Sequence, residues 1–301
     1  MQRPWEADRL VDEAQLDVLL ARQFPELASL PRRYLTEGWD NVCFLVGDEW
    51  IFRLPRRELG ARLMACENAL LPELATRLPL PVPRPEFRGV PQDDYPWEFH
   101  GYRRLPGETL CRAELGDEAR AQLAEPLGRF LRALHETPTA DFPGLPLDDN
   151  RRLDVAHRGA QIEERLADLR GLGLVGDPRP WRRVLEDVPA DFRPASDCLV
   201  HGDLYARHLL VDERGALCGV IDWGDAHAGD RALDLGVVHA ALPASAHDVF
   251  RDAYGPLTDL QWKVGCFKAL HSSLMILVYG VDVGDRALVV EGLRSLERLA
   301  R

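Results

Sequence analysis

His201-Gly-Asp-Leu-Tyr-Ala-Arg-His208, followed by Ile221-Asp-Trp-Gly-Asp225, is the densest polar run in the chain and the stretch that decides its fold. Apolar, strand-like segments flank it: Cys198-Leu-Val200 leads in, and His208-Leu-Leu-Val211 and Leu217-Cys-Gly-Val-Ile221 surround the turn Asp212-Glu-Arg-Gly215. Polar groups at the ends of such segments are displayed from a rigid base. If the last two segments pair as a hairpin, their ends meet, and Asp203 and His208 come close to Asp222. Two carboxylates and an imidazole at that junction can hold a divalent cation and leave one acid to position a proton or hydroxyl. An isolated His-x-Asp is more often a capped turn. His201, Asp203, His208 and Asp222 are also all metal-capable, which keeps a metallohydrolase in view. Residue chemistry alone leaves the reaction open.

Working outward, the segments before Gly107 differ from those after it. A helix is expected over residues 8–21, where Leu10, Ala14, Val18 and Ala21 share a face widened by Leu16, Leu19 and Leu20. Val42-Cys-Phe-Leu-Val46 and Trp50-Ile-Phe-Arg-Leu54, joined by Gly47-Asp48-Glu49, read as an antiparallel hairpin. A helix over 58–78 must stop at Pro79-Leu-Pro-Val-Pro-Arg-Pro85. A second hairpin is expected over 86–104. Beyond Gly107 the pattern turns helical over 117–135, with Pro126 marking a kink or boundary, and again over 152–170 and 258–298. The layout is α+β: a small strand-rich lobe over residues 1–105, a hinge about 99–107, and a larger helical lobe over 106–301.

The 301 residues are 46% hydrophobic and 29% charged, ordinary for a chain with a real core. No window of 18 uninterrupted apolar residues occurs; Leu270 to Val283 is broken by His271, Ser272, Ser273 and Gly280. The N-terminus is charged, without the apolar core of a leader peptide. Six scattered cysteines form no Cys-x-x-Cys pair. A cytoplasmic monomer with free thiols is expected. Lys plus Arg total 37 against 49 Asp plus Glu, a net charge of -12, which disfavours nucleic acid and anionic membrane and favours cationic ligands. The only lysines are Lys263 and Lys268, so any cation needed earlier in the chain must be Arg or His.

The ordered motifs resemble the aminoglycoside phosphotransferase family, whose fold is protein-kinase-like and bilobal. His201-Gly-Asp-Leu204 and Ile221-Asp-Trp-Gly224 resemble its catalytic and metal-binding segments. Gly38-Trp-Asp-Asn41 is similar to the nucleotide loop, and Ile51-Phe-Arg-Leu-Pro55 to the strand whose basic residue holds the nucleotide phosphates. Glu67 falls where a helix glutamate partners that residue. Leu78-Pro-Leu-Pro-Val-Pro83 resembles the connection that follows, and Phe99-His-Gly-Tyr-Arg-Arg-Leu-Pro-Gly107 the hinge. With His208 and the tail Val278-Tyr-Gly280, the chain looks most like aminoglycoside 2''-phosphotransferases, with macrolide phosphotransferases next.

The resemblance implies transfer of the γ-phosphate of ATP or GTP to a hydroxyl of an aminoglycoside, a step that rests on positioning and charge neutralisation, and with it a role in antibiotic resistance. Asp203 would orient the hydroxyl, and Asp222 and His208 would bind Mg²⁺ or Mn²⁺. Arg53, paired with Glu67, would clamp phosphates. Gly38 and Asn41 would let the loop approach them, while Phe99, Gly101 and Tyr102 would supply hinge hydrogen bonds and a wall for the base. His201, Asp225, Asp230 and Asp234 are expected to support the site or to lie on the acceptor side, with Asp225 facing an ammonium of a cationic small molecule. Two features depart from a polycation site: Leu235-Gly-Val-Val-His-Ala-Ala-Leu-Pro-Ala-Ser245 carries no acid, and Arg207 adds positive charge. Both suit a larger, more apolar acceptor such as a macrolide with one amine; a kinase of another small hydroxylated metabolite is a further alternative. Glu163, Glu164 and Asp168 remain as acids that another helix could offer. A non-catalytic nucleotide-binding protein is the remaining alternative.

Overall fold

The computed structural model describes residues 7–38 and 40–301; the first six residues, where the leader-peptide reading begins, and Trp39 of the loop motif lie outside them. The chain divides into two compact units, residues 1–77 with 81–105, and residues 78–80 with 106–301.

In the first unit, helix α1 (Glu13–Gln23) is capped by the Asp12 carboxylate, which accepts from the Gln15 N–H, and it buries Leu16, Leu19 and Leu20. Five antiparallel strands follow: β1 (Arg32–Glu37), β2 (Asn41–Val46), β3 (Trp50–Pro55), β4 (Pro85–Gly89) and β5 (Phe99–Arg103), in the order β1-β2-β3-β5-β4. Helix α2 (Glu58–Arg77) lies between β3 and β4 in sequence. Strand alternation sorts the side chains. Val42, Phe44, Val46, Phe52, Leu54 and Phe99 join the α1 leucines and Tyr95 in one core. The opposite face carries Leu45, Ile51 and Tyr102, packed with Cys43, and by the same alternation Arg53 and His100. Gly101 is required by packing, since a Cβ there would lie 2.5 Å from the Phe52 ring.

The second unit is mainly helical. The expected 117–135 helix is two, α3 (Asp117–Ala121) and α4 (Ala124–His135), with Pro126 in the first turn of α4, where a missing N–H costs nothing. Then come α5 (Val155–Gly171), α6 (Arg179–Glu186), α7 (Ala232–Ala241), α8 (His247–Tyr254), α9 (Asp259–Val283) and α10 (Arg286–Leu299). The sequence reading ran the last two together; Gly284 in the left-handed region and the Asp285 cap separate them. By length and composition α9 could cross a membrane, having an apolar window of mean hydropathy 1.5. Here Val264, Phe267, Leu270, Leu274 and Leu277 of α9 instead join the core with residues of α5, α6, α7 and α10. Short strands complete the unit: β6 (Glu108–Thr109), β8 (Leu209–Val211) and β9 (Leu217–Val220) form one sheet, and β7 (Cys198–Val200) pairs with β10 (His227–Gly229).

A buried ion pair ties α3 to α10. Arg120 Nη1 donates to Glu291 Oε1 at 2.7 Å and Nη2 to Oε2 at 2.6 Å, and Nη1 also reaches the Ala241 carbonyl at 3.2 Å. Removing one partner strands the other charge away from water. Arg120→Met is expected to lower stability by about 3–5 kcal/mol, read from urea unfolding, with Arg120→Met/Glu291→Met recovering much of it. A single mutant as stable as wild type would show that the pair holds nothing.

Candidate active site

The catalytic loop hangs on one buried carboxylate. Asp234, in the first turn of α7, is fully buried. Its Oδ2 accepts from the His201 N–H at 2.7 Å and its Oδ1 from the Gly202 N–H at 3.0 Å. His135 Nε2 donates to Oδ2 at 3.1 Å, while His135 Nδ1 lies 2.7 Å from the Tyr254 hydroxyl. Burial disfavours the Asp234 charge, but the His135 hydrogen bond and the facing donors outweigh it and hold the carboxyl below its ordinary value. Gly202 sits at φ +85°, and a Cβ there would be 2.2 Å from the Asp225 carbonyl, so only glycine fits.

His201 belongs to this scaffold, the supporting one of its two expected roles. The ring is fully buried, against Trp223 with centroids 4.7 Å apart. Its Nε2 donates to the Ile221 carbonyl at 3.0 Å, and its Nδ1 accepts from the Asp203 N–H at 3.4 Å. Burial lowers its pKa, which keeps the ring neutral, as this donor–acceptor pattern requires. His201 therefore ties the loop bearing Asp203 to the strand end that precedes Asp222.

The hairpin of β8 and β9 forms, and the Ile221 N–H donates to the His208 carbonyl at 2.9 Å. It brings Asp203, His208 and Asp222 together. Asp203 and Asp222 have side chains 42% and 47% exposed, whereas His208 is buried between them. His208 Nδ1 donates to the Asp203 carbonyl at 2.7 Å, and Nε2 lies 3.2 Å from Asp222 Oδ2. Burial works against protonating His208, but Asp222 and Asp203 prevail and raise its pKa. Asp222 holds φ +67°, a left-handed conformation that aspartate tolerates better than most residues.

The metal expectation can be tested against this donor set. With Nδ1 committed to a backbone carbonyl, Nε2 is the ring atom that a metal would meet, the arrangement usual for ligating histidines. Among the described residues no group of three or more His, Cys, Asp or Glu side chains is placed to hold an ion. Asp222 and His208 thus fit an ion shared with nucleotide phosphates and water, as Mg²⁺ commonly is, rather than a protein cage.

Asp225 does not stand open to an ammonium. Arg152 Nη2 is hydrogen-bonded to its Oδ1, and the same guanidinium reaches Asp148 Oδ1 at 2.6 Å. Of the other acids considered, Glu163 pairs with Arg182 and Asp168 lies 3.4 Å from Arg165.

In the first unit, Arg53 on the central strand β3 meets Glu67 of α2 at 2.8 Å, both buried. Behind them His100, unassigned in the sequence reading, has Nε2 3.8 Å from Glu67 and Nδ1 2.8 Å from the Asn68 side-chain oxygen. Burial, with Arg53 next, pushes its pKa well down, so His100 backs the pair as a neutral ring. Gly38 donates to the Asn41 carbonyl at 2.9 Å, closing the loop. The expected hinge needs correcting. Strand β5 pairs with β3 on one edge and β4 on the other, which consumes the backbone of residues 99–102. Phe99 is core, and Gly101 makes room for Phe52. Of the three, only Tyr102 lies on the face that Arg53 shares with His100. Just after β5, the Arg104 N–H donates to the Glu49 carbonyl at 2.6 Å.

An antiparallel sheet bearing a buried Arg–Glu pair, and a helical unit bearing a His-Gly-Asp loop beside Asp222, define a kinase-type phosphotransferase. Residues 32–261 match the profile of the phosphotransferase enzyme family, and the chain belongs to that family. It is 29% identical over 252 residues to an aminoglycoside 3'-phosphotransferase of Streptomyces fradiae, covering 75% of this chain and 88% of the relative. Among solved structures it resembles APH(2")-IIIa in complex with GDP and kanamycin, with TM-score 0.70, 25% identity, and 95% and 98% of the two chains covered. It also resembles a macrolide 2'-phosphotransferase of Brachybacterium faecium, with TM-score 0.58, 26% identity, and 93% and 97% covered.

Asp234→Asn puts an amide N–H₂ against donors and is expected to cost about 1–3 kcal/mol near pH 7. Because the folded Asp234 pKa is depressed, its stabilisation is present above the unfolded carboxylate value near 3.9 and is lost as pH falls below it. The melting-temperature gap between wild type and mutant should therefore narrow from pH 7 toward pH 3. A gap independent of pH would contradict the assignment.

Proposed function

We propose that the chain moves the γ-phosphate of ATP or GTP to a hydroxyl of a small molecule. The observation that carries this is Asp203: an exposed carboxylate on a loop locked by Asp234, beside the Asp222–His208 pair. The acceptor oxygen attacks the γ-phosphorus, and its proton passes to the Asp203 carboxylate. The bond from γ-phosphorus to the β–γ bridging oxygen breaks, and the nucleoside diphosphate leaves with the electron pair. A divalent ion at Asp222 and His208 would neutralise phosphate charge. Arg53, held by Glu67, would do the same as a fixed guanidinium, which binds phosphate in fork geometry. All six cysteines are free thiols, which suits the cytoplasm, where nucleoside triphosphates are available.

The acceptor best supported by the geometry is a hydroxylated metabolite that is not a polycation, because Asp225 and Asp148 are already occupied by Arg152. An aminoglycoside is the second reading, favoured by the Streptomyces fradiae relative and the net charge of -12.

ATP or GTP with Mg²⁺ is expected to raise the melting temperature of wild type and of Asp203→Asn alike, since ligand bound to the native state stabilises it. Turnover of the mutant should fall by about a hundredfold or more, the scale of a lost positioned acid/base group. An aminoglycoside, a macrolide and simple polyols serve as acceptors. Mutant turnover within about threefold of wild type would rule out Asp203 as the positioning carboxylate.

A further inference from the structure

Lys268 on α9 is 8% exposed, and its stem packs over α7, where a Cβ on Gly236 would lie 3.0 Å from the Lys268 Cγ. Its ammonium donates to Ser272 Oγ at 2.6 Å, a neutral partner, and among the described residues no carboxylate forms an ion pair with it. Asp203 and Asp225 act on its charge in one sense, Arg152 and Arg158 in the other. Arg158 of α5 is half-buried and likewise makes its hydrogen bonds to neutral groups. Its guanidinium donates to the Asn150 and Arg151 carbonyls and to Gln161 Oε1 at 2.8 Å, all neutral. Gln161 Oε1 also meets His271 Nε2 at 3.2 Å, one turn along α9 from Lys268, so the two helices are linked at this level.

Elsewhere the chain gives its buried cations a carboxylate, as with Arg53 and Glu67, Arg120 and Glu291, or Arg152 between Asp148 and Asp225. Lys268 lacks one. A buried ammonium without a counter-charge is strongly disfavoured, and burial indeed pulls the Lys268 pKa down while Asp203 resists. A buried ammonium with a hydroxyl for its partner, on which the Asp203 charge acts, is a group that an anionic ligand would complete.

We propose that the acceptor carries, besides the hydroxyl presented to Asp203, an oxyanion (a carboxylate or a phosphate) that is bound by Lys268 and Arg158. This rests on the phosphotransferase reading above and deepens it, because it names the charge of the acceptor. Hydroxy acids and sugar phosphates have that chemistry. A polycation would meet two uncompensated positive charges and find the nearby carboxylates taken.

The test uses the full chain saturated with ADP or GDP and Mg²⁺, so that the nucleotide site is filled. Malonate and inorganic phosphate are the probes, one for each oxyanion. One or both should raise the melting temperature of wild type, and Lys268→Met, which keeps the stem and removes the charge, should abolish the shift. Should that variant fail to fold, Lys268→Gln and Arg158→Gln carry the same comparison. In turnover assays with ATP and GTP, matched pairs (gluconate and glucose, glycerate and glycerol, glucose 6-phosphate and glucose) are run beside kanamycin and erythromycin. The anionic member should be the better substrate, and Lys268→Met should raise its KM at least about tenfold, as for loss of a charged hydrogen bond. A role for Lys268 in merely orienting Asp203 predicts a lower kcat on every acceptor alike, and that result overturns the proposal. So does protection by the anions that is absent, or equal in wild type and variant. Turnover of kanamycin above every anionic acceptor sinks the oxyanion site but leaves phosphotransfer standing. No nucleotide-induced stabilisation and no diphosphate release with any acceptor sinks phosphotransfer itself, whatever the anions do.

Discussion

The Asp234 carboxylate is the constraint on which the catalytic side depends. Two consecutive backbone N–H groups, of His201 and Gly202, have no strand partner once β7 ends, and Asp234 takes both. That capture turns the chain sharply, which is why Gly202 must be glycine. It also orients His201 to reach Ile221, and so sets the loop of Asp203 and the strand end before Asp222 in one register. A carboxylate buried on an apolar helix is expensive unless every lone pair is used, and His135 completes the set. Little can move in the loop without unpairing something buried.

The same economy governs the charges of both units. The guanidinium of Arg53 is held by Glu67 and backed by His100, kept neutral by burial and by Arg53 itself. A protonated ring there would weaken the positive clamp's hold on its own glutamate. Arg152 sits between two carboxylates, and Arg120 chelates one. Against this pattern of internal compensation, two kinds of group stand out. Asp203 is an exposed carboxylate on the loop after β7, and Lys268 is a buried cation whose ammonium donates to a hydroxyl.

Much of this was legible in the residues. The β2–β3 and β8–β9 hairpins follow from short apolar runs around Gly-containing turns, and the meeting of Asp203, His208 and Asp222 follows from hairpin closure. The Arg53–Glu67 pair was legible because no lysine precedes residue 263 and because the motif order resembles the family. The hinge was misread because Phe99-His-Gly-Tyr102 is an ordinary strand sequence, and nothing local says that both its edges are paired. The partners of His201 and Asp225 were not legible for a related reason. Each lies beside a reactive residue in sequence, yet its partner, Ile221 or Arg152, is distant along the chain. The break between α9 and α10 had a signal, Gly284-Asp285, that the long apolar periodicity obscured.

The residues alone gave the two Gly-turn hairpins and the inventory of chemistry, with two carboxylates and a histidine converging on one of them. Periodicity and turn residues carry that information because they act over a few residues. Only the tertiary structure decided which charges are already satisfied. Asp225 is closed by Arg152, Asp234 is occupied by two backbone amides and His135, and Lys268 is left with Ser272. Charge compensation depends on distance in space and on burial, and neither is written in the spacing of residues along the chain.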